Sequence, residues 1–395
     1  MKPIVLALFT VFAPACATAG VRDPEPTPVD PVATVAPSLG EVWLPTEAAD
    51  WRAQLLFDNA GVGIWTVEPA QLFPELGAPE VIGLDDAGNA ILCVGYSGKW
   101  SAKEVIAEGS WLGALEHGDH DPRIPGDELY VGGQRGNLYQ VVPHGGGLVD
   151  LRLIASFPGR ELHTLAAVPG APELLAFTNT GELHRVTPTG AHGTFEAELV
   201  ENCGGRVRDA VLLPGSEALF ACVSRAGWLR LLSFEAGRPR WFEVHTEAIG
   251  LGRLALGVAG DGLVLYSTTD DGRVLRHAAP AGGALAGAWT TELVHVGSQG
   301  PRGIATGRFD PDPSVETVAL FGYGKRVELL SREAGGDWSV HTLFEDVDKG
   351  HWLARTELDG RNATDELLLS GYGGRIVMLS RGIGDGLDVL GSTAP

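Results

Sequence analysis

The sequence predicts an all-β chain folded as a seven-bladed β-propeller and closed by its own N-terminal strand. Three observations lead there: seven hairpin-like repeats, an anchor position recurring about every 48 residues, and an orphaned half-repeat near the N-terminus. Beyond residue 43 the chain is a series of short apolar runs broken by Gly, Pro, Asn and Asp, with hardly any helix signals. The hairpins read "AILCVGYSGKWSAKEV", "ELYVGGQRGNLYQVV", "ELLAFTNTGELHRVT", "ALFACVSRAGWLRLL", "LVLYSTTDDGRVLRH", "VALFGYGKRVELLSR" and "ELLLSGYGGRIVMLSR". In each, an apolar or alternating run meets a tight turn and an alternating run leaves it.

The segment before each hairpin supplies the anchors Trp65, Trp111, His163, Arg208, Arg253, Arg302 and Trp352, spaced by about 45 to 52 residues. Four short strands fit in such a period, which is the length of one propeller blade. The last unit ends at "RIVMLSRG" with three strands and no outer one. Residues 50–65, "DWRAQLLFDNAGVGIW", echo residues 337–352, "DWSVHTLFEDVDKGHW", sharing Asp50/Asp337, Trp51/Trp338, Leu56/Leu343, Phe57/Phe344, Gly63/Gly350 and Trp65/Trp352 when laid together without a gap. The earlier copy is an outer strand lacking its own blade, so it is expected to complete the last one and remove an open edge.

Composition narrows the partners. The chain has 395 residues, 44% hydrophobic and 20% charged, ample for a core. With 29 basic against 50 acidic residues the net charge is −21, which excludes general steering toward nucleic acid or anionic lipid surfaces. Any anion must meet a local basic patch.

The first residues have the layout of an export signal: Lys2, an apolar run from Ile4 to Phe12, then "APACATAG". Residues 1–19 are read as that signal. Ala13-Pro14-Ala15-Cys16 is similar to a bacterial lipobox with Cys16 as the lipidated residue, while Ala17-Thr18-Ala19 suits ordinary signal peptidase; both outcomes stay open. Residues 20–42 are a Pro-rich segment without packing pattern, expected to be an extended tether. The propeller is assigned to 43–385 and a tail to 386–395. A location outside the cytoplasm follows, as an outer-membrane or cell-surface lipoprotein or as a secreted or periplasmic protein, touching membrane only through a lipid. A monomer is expected. Cys93 and Cys222, in apolar runs at matching repeat positions, read as buried small hydrophobes; Cys203 and Cys222 are a candidate disulfide.

"ELDGRNATDELLLSGYGGRIVML" and "HGDHDPRIPGDELYVGGQRGNLYQV" resemble the FG-GAP and VCBS-type repeats of exported bacterial proteins and integrin heads, in which an Asp-rich loop precedes "DEL" and a Gly turn. The resemblance implies a propeller outside the cytoplasm and loops that hold calcium through alternating oxygen ligands. The matching positions are Asp119, Asp121 and Asp127; Asp310, Asp312 and Glu316; and Asp359, Asn362 and Asp365. None carries the full family pattern, and Asp and Asn there also serve as turn formers. Calcium is thus an optional ligand and no cofactor is required. His117 and His120 in "EHGDHDP" read as polar loop residues.

The anchors should gather at the mouth of the central channel, because the link into each inner strand lies on the same face as the turn between second and third strands. His351, Tyr96, Lys99, Trp100, Arg225, Trp228, Tyr323 and Tyr372 are placed on that face as well. Guanidinium groups bind carboxylate, sulfate or phosphate, and aromatic faces stack on sugars. The expected function is a tethered or secreted binding module for an anionic saccharide or an acidic segment of a protein partner. The alternative is a polysaccharide lyase on uronic-acid glycans, with arginine neutralisers and His163, His351, Tyr323 or Tyr372 as base. Arginines and tryptophans that merely pack between blades are the structural counter-reading.

Overall fold

A computed structural model describes residues 41–382 apart from 97–98, 119, 122–123, 125–126, 145–147, 191–193, 216–217, 258–261, 298–299, 334 and 359–362. The leader with Cys16, the tether before residue 41, Asp119, Asp359, Asn362 and the tail 386–395 lie outside the described residues. The described chain forms seven antiparallel sheets, six of four strands and one of five. Its one described helical element is the single 3-10 turn Pro74–Leu76.

The inner strands are Ile64–Ala70, Leu112–Gly118, Leu162–Val168, Val207–Leu212, Leu251–Leu256, Pro301–Thr306 and Gly350–Thr356. Burial explains the sequence pattern within a blade. The second strands, such as Glu128–Gly133 and Glu366–Gly371, are covered on both faces by neighbouring blades and are buried throughout, hence their continuous apolar runs. Outer strands such as Thr194–Asn202 are mostly exposed and carry Thr and Glu. The core is therefore divided into seven apolar clusters. The cluster joining the last blade to the first packs Leu56 and Ile376 against Ile64, Val81 and Ile91.

Ring closure occurs as expected. The strand Trp51–Asp58 pairs antiparallel with Arg375–Arg381, from Trp51 opposite Arg381 to Asp58 opposite Arg375. Asp50 clamps the join: its carboxylate pairs with Arg381 at 2.8 Å and its carbonyl accepts the Gly382 N–H at 2.7 Å. A short strand, Val42–Leu44, pairs outside Trp51–Asp58 and gives this blade a fifth strand. The sheet thus begins at Val42, one residue before the boundary expected from sequence.

The "DEL" signature has a structural cause. Glu128 accepts the N–H groups of His120 and Asp121 at 3.0 and 3.2 Å, and Glu366 accepts that of Leu358 at 2.9 Å. These fully buried carboxylates tie the loop before the second strand, and burial pushes that of Glu128 up to about 7.

Two sequence alignments need correction. In the first blade the quoted hairpin joins the third and fourth strands, Asn89–Tyr96 and Lys99–Ala107; the second strand is Glu80–Asp85. Cys93 therefore does not match Cys222, which lies on the second strand Phe220–Ser224, and Tyr96 and Lys99 leave the mouth face. Trp100 and Trp228 are core residues. Cys93, Cys203 and Cys222 are buried and free, with Cys203 and Cys222 in one cluster. The second correction concerns the echo. Leu56/Leu343 and Phe57/Phe344 match in register, but five residues link Asp58 to Ile64 and four link Glu345 to Gly350. Trp65 is therefore the counterpart of His351, and Trp352 lies one residue deeper.

Leu56→Ala empties a fully buried site at the closure and should cost about 2–5 kcal/mol. Deleting residues 42–58 should abolish the single cooperative melt by exposing the Arg375–Arg381 edge. Thermal denaturation followed by circular dichroism checks both, and an unchanged melt in the deletion would overturn the closure role.

Candidate functional site

The mouth is shaped by one device repeated in every blade. Each inner strand carries a β-bulge near its start, where one extra residue is unpaired: Trp65, Gly113, His163, Arg208, Gly252 with Arg253, Arg302 and His351. A bulge twists its strand and re-aims a side chain. All of these residues line one cavity of about 330 Å³ at the channel mouth, together with Trp111, Arg206, Tyr323 and Tyr372. Gly113 is bare, and its space is filled from the preceding link, since a Cβ there would meet the Trp111 ring at 3.0 Å.

The links are pinned from above. In each blade the backbone N–H after the outer strand donates to the carbonyl of one turn residue: Gly374, Gly88, Gly136, Gly181, Gly227, Gly272 or Lys325, at 2.7 to 2.9 Å. All seven have positive φ, which explains glycine at six of them. At Gly227 a side chain would also strike the Glu247 carbonyl at 2.3 Å.

Inner strands have unpaired edges facing the channel, and polar side chains satisfy them across blade boundaries. Thr66 donates to the Gly113 carbonyl at 2.9 Å, Arg208 to that of Leu251 at 2.9 Å, Arg253 to that of Arg208 at 2.5 Å and His351 Nδ1 to that of Trp65 at 2.7 Å. Arg208, Arg253 and His351 thus do part of the packing job that the counter-reading assigned to such residues.

Asp270 bridges Arg208 at 2.8 Å and Arg302 at 2.9 Å and so sets their spacing. Arg206 is different. It forms no ion pair among the described residues, its Nε is buried without a partner, and Nη1 reaches only the ring of His163 at 3.3 Å. Burial and the repulsion of Arg208 and Arg225 push Arg206 down to about 10. The same forces, burial first and then the arginines, hold His163 near 3 and His351 well below the usual imidazole range, so both rings are neutral at physiological pH.

Opposite the arginines lies a run of rings: Trp111 against His163 at 5.1 Å, Trp65 against Trp111 at 5.9 Å, Trp65 edge-on to His351 at 4.2 Å, and Tyr372 against Tyr323 at 6.0 Å. The Tyr323 and Tyr372 hydroxyls stand 3.4 Å apart. Burial would raise the Tyr323 phenol, but the hydrogen bond with Tyr372 and the nearby Arg302 and Lys349 bring it below its ordinary value.

Below the mouth a second cavity of about 330 Å³ is lined by Glu68, Glu116, Asp209, Arg253 and Trp352. The Trp352 indole donates to Glu68 at 2.8 Å, and Arg253 stacks over the Trp352 ring at 4.1 Å. Burial, partly offset by that hydrogen bond, and then the charges of Asp209 and Glu116 push the Glu68 carboxyl up to about 8.

All seven anchors, His351, Tyr323 and Tyr372 thus meet in these two adjoining cavities. Sequence reading missed Arg206, Asp270, Glu68 and Asp209. Arg206 lies in the link just before the strand Val207–Leu212, and its closeness to Arg208 is the one sequence signal for it. Asp270 lies in the turn after the second strand Val264–Thr269, on the mouth face, but a lone acid in an Asp-Asp-Gly turn reads in sequence as a turn former.

The Asp-rich loops lie on the other face. Asp121 is buried, Asp127 precedes the strand Glu128–Gly133, Asp310 pairs with Arg381 at 3.0 Å, and Asp312 accepts the Ser314 N–H at 2.9 Å. Glu316 pairs with Arg276 at 3.0 Å and Arg332 at 2.6 Å, and Asp365 accepts the Arg308 N–H at 2.6 Å. Among the described residues no three His, Cys, Asp or Glu side chains converge as a metal set. His120 turns to the His117 carbonyl at 3.0 Å and to Glu116 at 3.5 Å.

Seven antiparallel blades around a central channel define a β-propeller. No family model matches the chain, and no curated protein matches it in sequence. Among solved structures it is similar to the WD40 β-propeller domain of Doa1, with a TM-score of 0.57 and 14% identity over 83% of this chain and 97% of that one. It is also similar to the β-propeller domain of Myceliophteria thermophila Cps50 (Swd1), with a TM-score of 0.55 and 13% identity over 86% of this chain and 99% of that one. At this identity the likeness is one of fold.

Folding favours the protonated form of Glu68, whose carboxyl moves from 4.5 to about 8. Its contribution to stability is present below about pH 4.5 and is lost as pH rises through about 8. Glu68→Gln keeps an acceptor for Trp352 without the charge. Its stability advantage over the parent should grow from near zero at pH 4.5 to on the order of 1–4 kcal/mol above pH 8, measured by chemical denaturation. A difference that stays flat across this range would refute the assignment.

Proposed function

We propose that this protein is an extracytoplasmic binding module whose channel mouth captures an anionic group of an acidic saccharide or acidic peptide segment. The observation that carries the reading is Arg206. A guanidinium that forms no ion pair among the described residues, with a buried unpartnered Nε and three further arginines lining the same cavity against the single carboxylate of Glu161, is a site that an incoming anion stabilises. Asp270 spaces Arg208 and Arg302, so the donors are preorganised before the ligand arrives. The adjoining rings of Trp65 and Trp111 supply the apolar wall that a sugar or side chain needs.

The export signal and the Cys16 lipobox support an outer-membrane or surface location. The "DEL" loops tied by Glu128 and Glu366 support repeats of the FG-GAP/VCBS type. A second reading, lyase chemistry, is favoured by Tyr323: its phenol is lowered beside Arg302, and it would take the proton next to a carboxylate that Arg302 neutralises. Neutral His163 and His351 fit the base role less well, because their surroundings disfavour the imidazolium that proton abstraction would form.

Isothermal titration of the protein with uronate and sulfated oligosaccharides and acidic peptides tests the binding reading, with ultraviolet absorbance followed for unsaturated products. Arg206→Ala should weaken anion binding about 10- to 100-fold, the loss of one charge-assisted contact. Arg326→Ala, whose side chain pairs with Glu345, should leave binding unchanged. Equal affinity in Arg206→Ala and parent would sink the reading. For the anchor, Cys16→Ser should move the protein from the detergent phase to the aqueous phase on phase partition; aqueous partition of the parent would indicate free secretion.

A further inference from the structure

The outer strand of a blade ends its sheet with unpaired backbone groups, and such edges are normally blunted by charge, by proline or by a covering segment. The last blade is covered by Val42–Leu44. Thr194–Asn202 carries Glu196, Glu198 and Glu201, and Arg238–Thr246 carries Pro239 between two arginines. The outer strand of the second blade, Leu148–Ser156, is different. No strand lies beyond it among the described residues, and it exposes Leu148, Leu151 and Leu153 by 62, 46 and 57%, more large apolar side chains than any other described outer strand.

The charges on this strand select what can lie against it. Leu148 to Leu153 pair without a break with His144 to Tyr139, so Val149, Leu151 and Leu153 share one face. Asp150 and Arg152 share the other, 3.8 Å apart, with Asp150 also held by His144 at 2.8 Å. A second copy laid antiparallel about a twofold axis at Leu151 sets Leu151 against itself, Val149 against Leu153 of the second copy, and Asp150 against its Arg152. Every opposed pair is then apolar with apolar or acid with base. A slip of two residues, the smallest that keeps the faces matched, brings Asp150 against Asp150 or Arg152 against Arg152. Neither neighbouring register joins opposite charges.

We infer that this protein forms a twofold homodimer through the edge Leu148–Leu153, in place of the monomer expected from sequence. Two four-stranded blades become one continuous sheet, an isologous contact in which each copy offers the other the same strand. One strand per copy buries less than the roughly 1,200–2,000 Å² of a stable complex, so the association is reversible at micromolar concentration.

Sedimentation velocity on the full chain should show the mass doubling between about 1 and 100 µM. Asp150→Arg sets like charges together twice across the axis and should weaken the dimer about 10- to 100-fold; Arg152→Asp should do the same, and the two exchanges combined should restore it. That rescue separates a lost contact from a damaged fold. Leu151→Cys, in a Cys16→Ser chain whose other cysteines are buried, should link two copies on oxidation, because opposed residues bring their Cα atoms to about 4.5–5.5 Å, within disulfide reach. Leu148→Cys, more exposed but set about 20 Å from its own copy by the register, should not. Monomer at every concentration, with the edge left to solvent or to another chain's strand, overturns the inference. A dimer indifferent to the charge exchanges overturns it as well, since its contact lies elsewhere.

Discussion

Closure of the ring by Trp51–Asp58 is the constraint on which the remaining structure depends. Each blade covers its neighbours' faces, so an unfilled place in the seventh blade would leave Arg375–Arg381 as an open edge and its apolar cluster uncovered. Pairing the two ends of the chain makes the blades a closed circle, and only a closed circle has a channel. Asp50 and Arg381 mark how the join is secured: one carboxylate, one backbone carbonyl and one guanidinium hold both termini in register.

The channel then imposes its own chemistry. Seven inner strands turn unpaired backbone groups toward its axis, and Thr66, Arg208, Arg253 and His351 satisfy them from the adjacent blade. Cations are thereby drawn to the axis of an acidic protein for structural reasons. Their concentration creates the field around Arg206, which forms no ion pair among the described residues although Glu161 lines the same cavity, so packing and ligand chemistry are two consequences of one arrangement. Beneath, the lining mixes the carboxyls of Glu68, Glu116 and Asp209 with Arg253 and Arg302, both of which also line the mouth, and Arg253 stacks on Trp352 there.

Blade number, closure and the seven anchor positions were legible because each leaves a repeated mark: apolar second strands, glycine turns with positive φ, and one recurring position before each hairpin. Register was less legible. In the first blade two adjacent hairpins both end in apolar runs, and nothing local distinguishes the Asp85-Asp86-Ala87-Gly88 segment from the segment between Tyr96 and Lys99 in the sequence. The bulges were invisible as well, since an extra residue in a short strand changes no composition. The link before Gly350 is one residue shorter than that before Ile64, which places Trp352 one residue deeper than its alignment with Trp65 implies, and Gly252 takes the place of Arg208 so that Arg253 also lies one residue deeper.

The sequence by itself determined the all-β class, the seven-fold period, the role of the N-terminal strand and which residue types reach the channel, because periodicity and turn chemistry are local properties of the chain. Tertiary structure alone decided the partnerships. Asp270 bridging two arginines from other blades, Arg206 lacking such a bridge, and His351 surrendering Nδ1 to the Trp65 carbonyl all join residues separated by up to 286 positions. Such pairings depend on distances across the ring, which exist only once the ring has closed.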